Sequence, residues 1–206
     1  MLDFITINTH SSIRIDEGKI IYIDPFKIVD EKHDADIILI THDHFDHLSC
    51  DDIRKVMKED TVIVCPTSVD APEEMGLTVV KAGTDEKITV KGIEIETVRA
   101  YNIQKAFHPK ENGWLGYIIN SAGHGRIYIA GDTDITAEAK QVKCDIALLP
   151  VGGTYTMDTQ QAADLANVIH PEYVIPTHYG SIVGTPMDGV KFSIGVKSDI
   201  KVVIKF

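Results

Sequence analysis

The chain has 206 residues, 44% of them apolar, with 20 basic against 31 acidic residues and a net charge of −11. That length and apolar share supply one core without disulfide staples, and the acidity argues against nucleic acid, whose binders draw most of their affinity from a basic footprint. Cys50, Cys65 and Cys144 are odd in number, widely spaced and without a C-x-x-C pair. With no basic apolar leader and no membrane-length apolar run, they read as packing residues of a soluble cytoplasmic protein.

In chain order, residues 4–9, 12–15 and 19–24 alternate as an antiparallel meander, with Asp16-Glu17-Gly18 as its last turn. The apolar run 36–40 reads as a buried strand, and it delivers Thr41-His42-Asp43-His44-Phe45-Asp46-His47. Extended chain puts every second side chain on one face, so His42 and His44 can meet one metal ion. Asp46 and His47 lie a turn further on and face a neighbouring point, which leaves room for two cations. Five His and Asp residues packed this closely need many hydrogen-bond partners, and a metal satisfies all of them at once.

Beyond this stretch the pattern predicts a helix over 49–58, with Ser49 as N-cap and Asp52 at the capping-box distance. A strand at 61–65 ends at Pro66. A helical turn over 72–75 and strands at 77–81, 87–90 and 93–99 are expected to complete the first sheet. A hairpin follows, 115–120 with 126–130, and then a short helix at 136–141 and a buried strand at 145–149. Asp158 and Gln161 form a capping box opening a helix to Ile169, and His170 reads as its C-terminal charge partner. Strand 173–175, a helix from about Pro186 and a strand at 201–206 close the chain. Two similar halves of interleaved strands and helices imply two sheets face to face with helices outside.

The segment His42 to His47 resembles the H-x-H-x-D-H signature of the metallo-β-lactamase superfamily. The resemblance extends to Gly131-Asp132-Thr133 after one strand and Pro176-Thr177-His178 after another, and so covers essentially residues 1–206 as a single domain. It implies the α/β (α+β) fold of that family, a four-layer αββα sandwich of two mixed sheets. Among its members the compact chain is similar to ascorbate-phosphate lactonase and the phospholipase-D-like metallohydrolases.

The resemblance assigns His42 and His44 to one ion, Asp46, His47 and His178 to the other, and Asp132 as a bridge. The third histidine of the first ion is open: many relatives place it where this chain has Asn102, and His108 in the following loop is the alternative. His10 and Asp24 would lie just outside the ligands. Such a donor set suits zinc first, with manganese or iron also compatible, and ligand type does not choose among them. A water ionised between two cations would attack an ester, lactone or phosphodiester of a small, possibly anionic, substrate, with Asp46 and Asp132 as the catalytic carboxylates. Asn102 and Tyr155, the latter in a Gly-Gly loop before a helix, are the candidate substrate contacts, and Lys105 and Lys110 the candidate charges at the mouth. The competing functions are an iron-dependent redox or oxygen-handling protein and a metal-stabilised binding protein without turnover. A homo-oligomer is compatible with the sequence, a membrane partner is not expected.

Overall fold

β-Branched residues fill the strands, and their alternation decides the layers. The computed structural model describes residues 2–205. Strands β1 (Ile5–Thr9), β2 (Ser12–Asp16) and β3 (Ile20–Ile23) form the expected antiparallel meander. To it are added β4 (Ala35–Leu39), β5 (Met57–Pro66) and β6 (Thr78–Ala82), all parallel, giving a six-stranded mixed sheet in sequence order.

The second sheet repeats that plan. Strands β7 (Lys87–Val90), β8 (Ile93–Arg99), β9 (Leu115–Ser121) and β10 (Gly125–Ile129) are antiparallel neighbours. Parallel to β10 run β11 (Ile146–Pro150), β12 (Tyr173–Thr177) and β13 (Lys201–Val202). The expectation that 87–90 and 93–99 complete the first sheet is therefore corrected: β8 pairs with β9, from Glu94 opposite Asn120 to Arg99 opposite Leu115.

Successive residues of a strand face opposite ways, which here means opposite layers. Ile37 and Leu39 of β4 join Ile146 and Leu148 of β11 in the core between the sheets. Ile38 and Ile40 turn outward onto Ile53 and Val56 of α1 (Cys50–Val56). Ala147 and Leu149 turn outward onto Ala162, Leu165 and Ala166 of α2 (Thr159–Ile169) and Phe192 of α3 (Asp188–Gly195). Each fully buried isoleucine or leucine stabilises this arrangement by roughly 1.5–3 kcal/mol, and the result is the αββα order of layers.

Several boundaries move for local reasons. Helix α1 stops at Val56 because Met57 already pairs with Ala35, after which the register slips to Ile37 opposite Val62. The helix expected at 136–141 is a single 3-10 turn, Ala139–Gln141. The closing strand shrinks to Lys201–Val202, and Phe206 of that expectation lies outside the described residues, as does Met1. Helix α2 has the capping box of Asp158 and Gln161, and His170 caps its other end while its ring meets Asp199 at 3.0 Å. Burial pushes the Cys144 thiol up to about 12 and raises that of Cys65, so both are protonated packing groups. Among the described residues no helix is long and apolar enough to cross a membrane.

Candidate metal centre

Strands from both sheets end at one place. His10 follows β1, His42 follows β4, His178 follows β12, and Asp132 and His108 come from loops after β10 and β8. The donor atoms of His42, His44 and His108 lie within 4.8 Å of one another, as do those of His42, His47 and Asp132, and those of His10, Asp46 and His178. Asp132 Oδ2 is central, 2.9 Å from His178 Nε2, 3.3 Å from His108 Nε2 and 3.5 Å from His47 Nε2. Two donors on one tetrahedral ion with bonds of about 2.0–2.1 Å stand about 3.3 Å apart. His10 Nε2 is 3.3 Å from Asp46 Oδ2, and His42 Nε2 is 3.1 Å from His44 Nδ1.

Buried donors facing this space have no hydrogen-bond partner. They include Nε2 of His10, His47 and His108 and Oδ1 of Asp132, while Nδ1 of His10 and Nδ1 of His178 are unpartnered as well. Buried polar atoms are almost always satisfied, so orphans converging on one point fit a cation. The ring nitrogens of His42, His47 and His108 turned away from the centre are held, as suits metal-ligating histidines. Asp24 Oδ2 accepts from His47 Nδ1 at 2.7 Å and from the Thr41 hydroxyl at 2.6 Å, and that hydroxyl accepts from His42 Nδ1 at 2.9 Å. His108 Nδ1 donates to Asn102 Oδ1 at 2.9 Å. Each bond leaves the opposite nitrogen for the centre.

The backbone is bent to achieve this. His10 (φ 53), Asp24 (φ 45) and His178 (φ 58) are left-handed, a conformation costing a non-glycine residue about 1–2 kcal/mol and concentrated at functional sites. A bond from His178 N to His10 O, 3.0 Å, ties two of them together. Gly131 (φ 66) turns the chain after Ala130 to present Asp132. Gly152 lies so close beneath His178 that a Cβ there would stand 2.2 Å from the His178 carbonyl oxygen.

Charge follows from burial and neighbours. Burial drives His42 well below the usual imidazole range and lowers His44 and His10 as well, which leaves them neutral, as ligands must be. Burial also disfavours a charged His47, but Asp132 and Asp24 more than offset it and hold that imidazole well above its ordinary value. Asp132 is kept well below the carboxylate range, against the effect of burial, by His178 and His47. For Asp24 burial wins over His47, and its carboxyl is raised.

The centre forms the floor of a cleft of about 260 Å³, where His44, Asp46, Asp132 and His178 lie beneath walls of Phe45, Phe107, Tyr155 and Ile182. Tyr155 is thus at the cleft. Asn102 is not available as a substrate contact or oxygen donor, because Oδ1 takes two bonds from His108 and Nδ2 donates to the Tyr155 carbonyl at 2.9 Å. Lys105 is spent on Asp134 and the Thr156 carbonyl, both at 2.7 Å, and Lys110 on Glu138 at 2.9 Å. In the loop before α2 the N-H groups of Val151, Gly153, Thr154 and Met157 are bonded to the Thr177, Met157, Gly152 and Thr133 carbonyls. Sequence reasoning missed Thr41 and Trp114. The Trp114 ring lies 4.9, 4.9 and 5.5 Å from those of His42, His44 and His108, and a single tryptophan just before a strand carries no periodic signal of such a role.

Residues 4–178 match the Beta-lactamase superfamily domain. The chain belongs to that family. A UPF0173 metal-dependent hydrolase of Methanopyrus kandleri is 31% identical over 225 residues, covering 95% of this chain and 93% of its own. Among solved members of similar shape, one from Parabacteroides distasonis superposes with a TM-score of 0.81 at 33% identity, over 97% of this chain and 91% of its own. A metallo hydrolase of the hyperthermophilic archaeon Ignicoccus hospitalis gives 0.80 at 26% identity, over 97% and 93%. Family membership and the donor cluster agree on a metal-dependent protein.

Proposed function

We propose that this metal-dependent hydrolase uses two divalent cations to cleave a small ester, lactone or phosphodiester. His42, His44 and His108 would hold one cation, and Asp46, His47 and His178 the other, with Asp132 shared and His10 beside Asp46. The mixed imidazole and carboxylate set favours zinc, with manganese and iron compatible. The supporting observation is the group of orphaned buried donors, His10, His47, His108 and Asp132, of which Asp132 also lines an open cleft beside the ligand candidates His44, Asp46 and His178. Divalent cations so held would supply ionised water near pH 7 and neutralise charge on the oxygen under attack.

The chain's own residues do the rest. Hydrolysis joins the water oxygen to the carbonyl carbon or phosphorus, breaks the bond to the leaving oxygen, and returns a proton to that oxygen. Asp46, which lines the cleft, is the carboxylate placed to carry it. Burial raises the Asp46 carboxyl, but the contact with His10 and the charge of His47 more than offset this, so it starts deprotonated. Asp24 and Asn102 hold Nδ1 of His47 and His108 and so turn the Nε2 atoms inward, where on His47 a cation would take the place of a proton.

The test is metal analysis of protein purified without added metal, followed by assay against bis-p-nitrophenyl phosphate and a lactone panel. His44→Ala and Asp132→Ala should lose metal and turnover while circular dichroism stays unchanged. Full metal content in both variants would overturn the assignment.

A further inference from the structure

Resting on the hydrolase reading above, we infer that the part of the substrate remote from the scissile bond is uncharged and apolar, an aryl or branched alkyl group, so that the natural substrate is a neutral ester or lactone rather than a phosphodiester or sugar phosphate. The walls of the cleft carry this. Phe45 is 70% exposed and Phe107 46% exposed, directly above a floor of ligating side chains. Large aromatics standing in water next to a polar centre mark a binding surface. They are also fixed in place: Phe107 meets Tyr155 edge to face, with centroids 4.6 Å apart at 88°, and Phe45 meets Phe26 at 6.1 Å and 78°. A flat apolar group entering between them finds preorganised partners.

A remote phosphate or carboxylate needs a cation, a set of free N-H groups or an uncapped helix end. Lys105 and Lys110 are bonded to Asp134 and Glu138, and the exposed Lys27, bonded to the Ser181 hydroxyl at 3.1 Å, does not line the cleft. In the loop over 151–157 the N-H groups of Val151, Gly153, Thr154 and Met157 are bonded to carbonyls, and α2 is capped by its own Asp158. No lysine or arginine lines the cleft among the described residues. An anionic tail would leave water for an unpaired place, which is costly, whereas a ring gains by burial against Phe45, Phe107, Tyr155 and Ile182.

Metal-chelating hydroxamates separate this inference from the hydrolase reading, because they bind without turnover. Zinc-loaded protein is titrated calorimetrically with benzohydroxamate, acetohydroxamate and succinate monohydroxamate, and assayed in parallel on the ester, lactone and diester panel. Benzohydroxamate should bind on the order of 10–100-fold tighter than the succinate compound. Phe107→Ala and, separately, Phe45→Ala should narrow that ratio about tenfold with circular dichroism unchanged. A flat or reversed order with ester turnover intact overturns the inference and leaves the hydrolase standing. The expected order with no turnover of any substrate removes the hydrolase and upholds the apolar site. No binding of any hydroxamate overturns the inference, and removes the hydrolase as well where no substrate is turned over.

Discussion

Gly152→Ala tests the architecture of the centre without touching a ligand. The added methyl would sit 2.2 Å from the His178 carbonyl oxygen and 2.7 Å from Val183 Cγ2, where 3.4 Å is the near edge of ordinary contact. Backbone cannot rotate away as a long side chain can, so relief means moving His178 by about 1.2 Å, the order of misplacement that costs about a hundredfold in rate. Because His178 N donates to His10 O, the movement reaches His10 as well. The two proposed ions should respond differently. The one near His42, His44 and His108 lies beside Trp114, the chain's single tryptophan, and its uptake of cobalt is read by quenching of that fluorescence. Metal analysis should show occupancy falling from about two ions per chain to about one, with affinity at the affected site down about 10–100-fold, while the tryptophan titration keeps its midpoint. Overpacking should also cost about 1–3 kcal/mol of stability. Wild-type metal content and turnover would refute the close approach of Gly152 to His178. Equal loss at both sites would refute their independence.

Other outcomes follow from the same geometry. Asp24→Asn replaces the acceptor of His47 Nδ1 with an amide whose NH₂ favours the opposite tautomer, and metal affinity should fall about 10–100-fold by titration against a chromophoric chelator; unchanged affinity would remove Asp24 from the orienting role. Asp52 accepts from the backbone N-H groups of Lys27 and Ile28 and from Lys55. Burial alone would raise its carboxyl, but the Lys55 ammonium, Ser49 and these N-H groups more than offset that and lower it. A lowered folded value means the stabilisation is complete above the unfolded carboxylate range, near pH 4, and is lost as pH falls through the depressed value. Asp52→Asn should therefore unfold at lower denaturant by roughly 1–3 kcal/mol at pH 7, with the gap closing in acid; a gap constant with pH would contradict this. Stripping metal with a chelator should lower the melting temperature by about 8–16 °C for an ion bound a thousandfold below its free concentration, and an unmoved melting curve would mean that nothing in the folded chain holds it.

What could be read in advance was local. Strand runs such as 36–40 and 145–149 announce themselves by composition, and His42 to His47 announce themselves by density of donors. The partners of a strand are not written within it: residues 93–99 look the same whichever sheet they join, and β8 went to β9 because the register from Arg99 opposite Leu115 buries Ile95 and Leu115 in one core. Side chains near the cleft were harder still. Lys105 beside His108 suggested a charge for an anion, yet its ammonium reaches Asp134 and Thr156 across the fold. Asn102 sits where the resemblance leads one to expect histidine, and only the folded loop shows its amide supporting His108. Trp114 was invisible because its importance lies in what packs on it.

The bond between His178 and His10 joins the end of a strand in one sheet to the end of a strand in the other. Neither sheet carries a full donor set, so the proposed cations would act as rivets through two plates that must already be docked. Such a rivet would be set last, locking a finished molecule instead of seeding an unfinished one.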